Sequence, residues 1–114
     1  MAKSVQDLSL NQKRCMPCEA GAQPLKGQAL QDLADQLGEG WKVVEETRLE
    51  KEFRFPDFRQ ALAFVNQVGE LAESEGHHPD LLLSWGRVKV TLWTHKIKGL
   101  HENDFILAAK IDRL

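Results

Sequence analysis

The sequence predicts an α+β fold: a four-stranded antiparallel sheet with helices packed on one face, in the order α-β-β-α-β-β-α. Three observations carry this. Two stretches space their apolar residues for a helix, and a third apolar stretch of helical character closes the chain. Two pairs of strand-like segments lie between them, the second and fourth segments alternating at period two. Each pair is short enough in its connection to close as a hairpin, which makes neighbours antiparallel. With 114 residues, 42% of them apolar and 28% charged, the chain has the size and balance of one soluble domain that can bury a core without disulfides or metal.

The elements follow in order. Residues 1–24 read as an irregular tail, interrupted by Asn11, Pro17, Gly21 and Pro24 and without apolar periodicity. The folded part is expected to start near Leu25 and to form a single domain over 25–114. A first helix spans about 26–37, because Leu30, Leu33, Ala34 and Leu37 fall on one stripe, and Gly38 and Gly40 follow as stop signals. Two strands are expected at Trp41–Glu46 and Thr47–Phe55. Leu49, Phe53 and Phe55 share a face of the second, and Lys51 intrudes on that face, which suggests an edge. The long helix runs from Phe58 to about Glu75, N-capped by Asp57 with Gln60 at N3 and ended by Gly76. Phe58, Ala61, Leu62, Val65, Leu71 and Ala72 are expected to face the core, and Glu70, Glu73 and Glu75 the solvated rim. A hairpin follows, Asp80–Trp85 and Val88–His95 about a turn at Gly86-Arg87, with Val88, Val90, Leu92 and Thr94 on one face. The last helix covers about 102–113, with Glu102 and Asp104 in its first turn, where the helix dipole favours them.

Composition excludes several classes. A net charge of −2 provides no basic field for nucleic acid or anionic lipid. No apolar run is long enough to span a bilayer, and the first residues lack a signal-peptide core. Two cysteines do not make a secreted disulfide framework. A cytoplasmic, reducing location is expected, with no nucleic-acid and no membrane partner.

The chemistry-bearing residues cluster late in the chain. His77-His78-Pro79 follows the long helix, and Pro79 biases His78 towards an extended backbone. Two neighbouring imidazoles outside a helix point in different directions and can reach two parts of one small ligand. His95 ends a strand at the rim of the sheet, and Asp104 opens the last helix nine residues later. Such a cluster suits proton transfer, since imidazole both gives and takes a proton near neutral pH. The plain alternative is a set of loop histidines with ordinary hydrogen bonds. A catalytic zinc held by three imidazoles is a further reading, against which stands the lack of a His-Glu-x-x-His spacing. Cys15-Met16-Pro17-Cys18 is half a zinc site with no second half. It reads as a solvent-exposed tail element, with incidental metal binding or reversible oxidation as alternatives. Trp41 reads as core. Trp93 reads either as a stacking wall for a flat heterocycle or as a face buried by a partner subunit.

Glu73-x-x-x-His77-His78-Pro79, then Trp85, Thr94-His95, Gly99-Leu100 and Asp104 together resemble the pterin-4a-carbinolamine dehydratases. Phe53-x-Phe55-x-Asp57-Phe58 with Ala61, Phe64 and Val65, and Trp41 at the first strand, are similar to the same family, as is the C-x-P-C tail of its bacterial members. The resemblance covers roughly residues 25–114. It implies the same α-β-β-α-β-β-α plan and a dehydratase that removes water from 4a-hydroxytetrahydropterin, the by-product of aromatic amino acid hydroxylases such as phenylalanine hydroxylase, to give quinonoid dihydropterin. It implies no metal and no organic cofactor, and a dimer or tetramer. Residue by residue, it implies His77 and His95 as the acid–base pair and His78 as a pterin-positioning residue. Asp104 would orient a histidine, and Glu73 would contact the pterin or support the His77-His78 loop. Pro79, Trp93 and Thr94 complete the orienting set. His101 replaces the Ser or Thr that many relatives have before the last helix, Gly76 replaces a polar residue, and Trp93 stands where a small residue is common. The rival expectation is a non-catalytic dimerisation, regulatory or assembly module of the same fold, a role that some members play as partners of a homeodomain transcription factor. A homodimer is expected in either case through sheet edges or the last helix. That helix carries Phe105, Ile106, Leu107, Ala108, Ile111 and Leu114, more apolar surface than one face buries.

Overall fold

The chain follows the expected order, built from α1 (Gly27–Ala34), β1 (Lys42–Val44), β2 (Arg48–Arg54), α2 (Phe58–Glu75), β3 (Asp80–Ser84), β4 (Arg87–Leu92) and α3 (Glu102–Ile111), with short 3-10 helices at Leu10–Gln12 and His95–Ile97. The structure, a computed structural model, describes residues 9–16 and 22–114. All pairings are antiparallel, and the strands lie in the order β1-β2-β4-β3. Register places Leu49 opposite Leu92, Phe53 opposite Val88 and Leu81 opposite Val90. One face of the sheet is therefore continuously apolar, and Leu49, Val88, Val90 and Leu92 are fully buried on it against α2 and α3. Among the described residues no helix is long and apolar enough to cross a membrane.

Several details differ from the sequence reading. Lys51 sits in an interior strand, not at an edge: β2 is paired on both sides, and β1 and β3 are the edges. The Lys51 ammonium stays on the apolar face because Asp112 accepts from it at 2.7 Å and the Phe53 ring lies under it, 4.8 Å from the centroid. The turn between β1 and β2 falls on Glu45 and Glu46, both at positive φ (52° and 56°). Non-glycine residues adopt that region at a cost of about 1 kcal/mol each, and without Gly or Asn the sequence gives no sign of the turn. On α2 the core stripe is Ala61, Phe64, Val68 and Ala72. Phe58 and Leu62 point outward, 45% and 40% exposed, because the helix carries two apolar stripes and only one meets the sheet. In the β3–β4 hairpin Ser84 pairs with Arg87, so the turn is Trp85-Gly86. Glycine is required at 86: a Cβ there would lie 2.8 Å from the Phe55 carbonyl oxygen.

The largest correction concerns the chain before Leu25. Residues 9–16 are not a loose appendage. Leu10 is 2% exposed and belongs to the core cluster, and its 3-10 helix packs along α3. This also answers the surplus apolar surface of α3. Phe105, Ile106, Leu107, Ala108 and Ile111 are all buried within one chain, while Leu114, beyond the helix end, stays 51% exposed, so the helix itself offers no reason for a dimer. Leu10→Ala is expected to lower the unfolding free energy in urea by about 2–4 kcal/mol, the cost of a large-to-small change in a packed core. A loose tail would give a change within about 0.5 kcal/mol.

Candidate active site

The end of α2 sets the first histidines. Asp57 caps its start by accepting from Gln60 N at 2.9 Å, and Gly76 ends it in the left-handed region at φ 65°. His77 N donates to Ala72 O (3.2 Å) and Gly76 N to Glu73 O (3.3 Å), a Schellman closure in which glycine relieves the Cβ strain. The chain therefore leaves the helix in a fixed direction, with His77 and His78 just beyond its end.

The second group comes from the chain after β4. Thr94 pairs with Gly99 in an isolated bridge, which pinches off residues 95–98 as a tight loop. His95 stands at the start of a 3-10 helix there, not at the end of a strand. Its ring stacks on that of Trp93, with centroids 3.9 Å apart and planes 27° from parallel.

The third group is the first turn of α3. His101 is an N-cap after all: its Nδ1 accepts from Asn103 N, and Asp104 Oδ2 accepts from His101 N, both at 3.0 Å. This is a capping box with imidazole in the usual hydroxyl's place. Asp104 is 0% exposed. Its Oδ2 also accepts from Thr94 Oγ1 at 2.8 Å, and its Oδ1 lies 2.6 Å from His77 Nε2. A carboxylate only accepts, so the proton between them belongs to His77 Nε2, and in the neutral ring Nδ1 is the acceptor.

These groups enclose a cavity of about 610 Å³, walled by His77, His78 and His95 together with Trp93, Thr94 and Lys96. The three histidines proposed from sequence thus meet at one cavity. Glu73 and Pro79 do not line it. Glu73 lies outside, 2.8 Å from His78 Nε2, with both side chains well exposed. Among the described residues no three His, Cys, Asp or Glu side chains are grouped to hold a metal ion.

Part of the wall was not foreseen: Cys15, Met16, Glu75, Gly76 and Asn103 also line the cavity. Glu75, expected at the rim, is nearly buried. It accepts from Lys110 Nζ at 2.7 Å and from Cys15 N at 2.8 Å. Burial pushes its carboxyl up, but the Lys110 and Cys15 hydrogen bonds outweigh it and hold the group below its ordinary value of 4.5. Cys15 is half-buried rather than exposed, with Sγ 3.6 Å from Asn103 O. Burial, reinforced by the Glu75 carboxylate, pushes its thiol from 9.0 up to about 12. The partner of the C-x-x-C pair, Cys18, lies outside the described residues. The C-x-x-C spacing marked Cys15, but nothing in the sequence links it to Glu75 or Asn103.

The fold and the cavity define a small α+β protein with a cavity walled in part by three imidazoles. The chain belongs to the pterin 4 alpha carbinolamine dehydratase family, whose model matches residues 23–114, and the family is one of dehydratases. A Rubrobacter xylanophilus protein bearing a pterin-4-alpha-carbinolamine dehydratase name is 57% identical over 105 residues, 92% of this chain and 97% of that one. Among solved structures, a transcriptional coactivator/pterin dehydratase from Brucella melitensis superposes with a TM-score of 0.73 at 32% identity, covering 79% of this chain and 96% of its own. A pterin dehydratase-like protein described as a RuBisCO assembly factor in the alpha-carboxysome gives a TM-score of 0.56 at 26% identity, covering 66% of this chain and 88% of its own.

The thiol environment is directly testable. In a Cys18→Ser protein, Cys15 should alkylate with iodoacetamide about a thousandfold more slowly in the folded than in the urea-unfolded state near pH 8, following the thiolate fraction set by 9.0 against about 12. The sign for stability follows from the same shift. Above about pH 9 the unfolded chain releases this proton and the folded chain keeps it to about 12, so stability contributed by Cys15 falls as pH rises through that window. Equal alkylation rates in both states would refute the buried-thiol environment.

Proposed function

We propose that this protein removes water from 4a-hydroxytetrahydropterin to give quinonoid dihydropterin, by acid–base catalysis with no metal and no organic cofactor. The observation that carries the reading is the meeting of His77, His78 and His95 at one cavity, with the buried Asp104 bonded behind His77. The reaction breaks the C4a–O bond, adds one proton to the departing oxygen and takes one from N5. It therefore needs one donor, one acceptor and a flat site, and the balance of atoms requires no oxidant or reductant.

In this reading His77 is the acceptor. Its Nε2–H is tied to Asp104, so Nδ1 takes the N5 proton, and the carboxylate stabilises the imidazolium that forms, as in other carboxylate–histidine pairs. His95 donates to the leaving oxygen. Trp93, stacked on His95, extends the flat wall against which a bicyclic ring can lie. His78 positions the pterin, and Glu73 holds His78. Pro79 fixes the extended backbone that separates the two adjacent rings. Thr94 acts through Asp104, whose second oxygen it occupies. The substrate would come from an aromatic amino acid hydroxylase such as phenylalanine hydroxylase, in the cytoplasm.

A homo-oligomer, dimer or tetramer, is proposed through the sheet edges, since β1 and β3 each leave one side unpaired. Light scattering at micromolar concentration checks it, and a monomeric mass refutes it. The likeness to an assembly factor supports a second reading, a non-catalytic module of the same fold. Turnover discriminates the two. Purified protein should accelerate loss of the 4a-hydroxypterin absorbance in a hydroxylase-coupled assay. His77→Ala and His95→Ala should each lower kcat by about 10²–10⁴-fold, the usual worth of a positioned acid or base. Wild-type rates in both variants would remove their acid–base roles. A stoichiometric partner with no turnover would favour the module.

A further inference from the structure

The family match begins at residue 23, yet Cys15 and Met16 stand in the wall of the cavity beside the histidines. Two buried polar side chains hold them there. Asn103, 3% exposed, exchanges a pair of bonds with the Met16 backbone: its Oδ1 accepts from Met16 N at 2.9 Å and its Nδ2 donates to Met16 O at 2.5 Å. Those are the side-chain hydrogen bonds Asn103 makes among the described residues. Glu75 accepts from Cys15 N and is itself held by Lys110. Lys13 adds a bond to Glu102 at 2.9 Å, and Leu10 anchors the segment in the core. A buried amide or carboxylate is costly unless bonded, and here both are directed at two backbone positions. Met16 as a residue nevertheless remains 66% exposed. A fixed backbone thus presents a largely exposed methionine at the wall of a cavity.

We propose that residues 13–16 form a substrate-binding strap, clamped by Asn103 and Glu75, which sets Cys15 and Met16 against the non-reacting part of the pterin. This rests on the dehydratase reading for the class of substrate. Thioether sulfur packs favourably at the edge of an aromatic ring. The Cys15 thiol stays neutral beside Glu75, so the strap brings no thiolate to the cavity. Asn103 and Asp104 are adjacent in α3, and the same turn therefore grips the strap with one residue and backs His77 with the next. Asn103 and Glu75 are positioning residues, acting through residues 15 and 16.

Met16 provides the clean test, because truncating an exposed side chain leaves the core and every named hydrogen bond in place. Met16→Ala should raise both KM and the Kd for 7,8-dihydrobiopterin, read by tryptophan fluorescence, about two- to tenfold. The urea midpoint should not move, and kcat should shift less than KM. Met16→Glu should raise both constants further, and Asn103→Ala should do the same by loosening the clamp. A purely structural role for the strap predicts unchanged KM and Kd in both Met16 variants, and that result overturns the proposal. If the wild-type protein binds the dihydropterin but shows no turnover, weaker binding by the Met16 variants upholds the strap while the dehydratase reading fails. If it neither binds nor turns over, both fall.

Discussion

The carboxylate of Asp104 is the point at which three parts of the chain are tied together. Removing an ionised carboxyl from water costs several kcal/mol, and at 0% exposure that cost is offset only if its oxygens are filled. They are filled by the N-cap backbone of α3, the Thr94 hydroxyl after β4 and the His77 ring after α2. His101 and Thr94 lie 3 and 10 residues from Asp104, whereas His77 is brought to it across 27 residues by the fold. One side chain therefore caps a helix, fixes the loop that carries His95, and orients the imidazole at the cavity. Charge-assisted bonds of this kind are the stronger class of hydrogen bond, and a displaced partner leaves a buried charge short of a donor.

The strap adds a second constraint from outside the sheet. Without residues 9–16, α3 would expose the apolar surface that Leu10 covers, and Asn103 would lose the backbone partner for its amide. The N-terminal segment is thus coupled to the site in two ways. It packs on the helix that carries Asp104, and it supplies part of the cavity wall. Core packing and site geometry here are one arrangement, because the first turn of α3 serves both.

Much of this was legible in the sequence where the signal is local. The capping of α2 by Asp57, its end at Gly76, the alternation of Val88, Val90 and Leu92, and the grouping of histidines after α2 and β4 follow from short-range chemistry. The errors arise where long-range partners decide. Phe58 and Leu62 are as apolar as Phe64 and Val68, and only the position of the sheet selects between the two stripes. Lys51 looks like an edge residue until Asp112, from the end of the chain, is found beside it. Glu75 looks like a solvent carboxylate until Lys110 and the Cys15 backbone are counted. The β1–β2 turn carries no glycine, and its two glutamates accept a strained backbone that composition does not announce. Around the cavity, the histidines and Asp104 stand out in the sequence, and the C-x-x-C spacing marks Cys15, whereas nothing local places Cys15 and Met16 beside Asn103, because that placement depends on hydrogen bonds across 87 residues of chain.

The groups around the cavity differ in how firmly their surroundings hold their protons. Asp104 is filled by three donors, and Glu75 is held ionised by Lys110 and a backbone N–H. The Cys15 thiol is pushed far above the neutral range. These surroundings favour the ionised form of Glu75 and the neutral form of Cys15. Imidazole is the side chain whose ordinary titration lies near neutrality, and in the proposed reaction the carboxylate behind His77 would steady the positive ring formed by proton uptake. A bonded carboxylate pair and a neutral thiol beside three imidazoles suit the proposed dehydration, which moves two protons and no electrons. Thiolate chemistry at Cys15 would need that thiol ionised, which its burial and the Glu75 carboxylate beside it oppose.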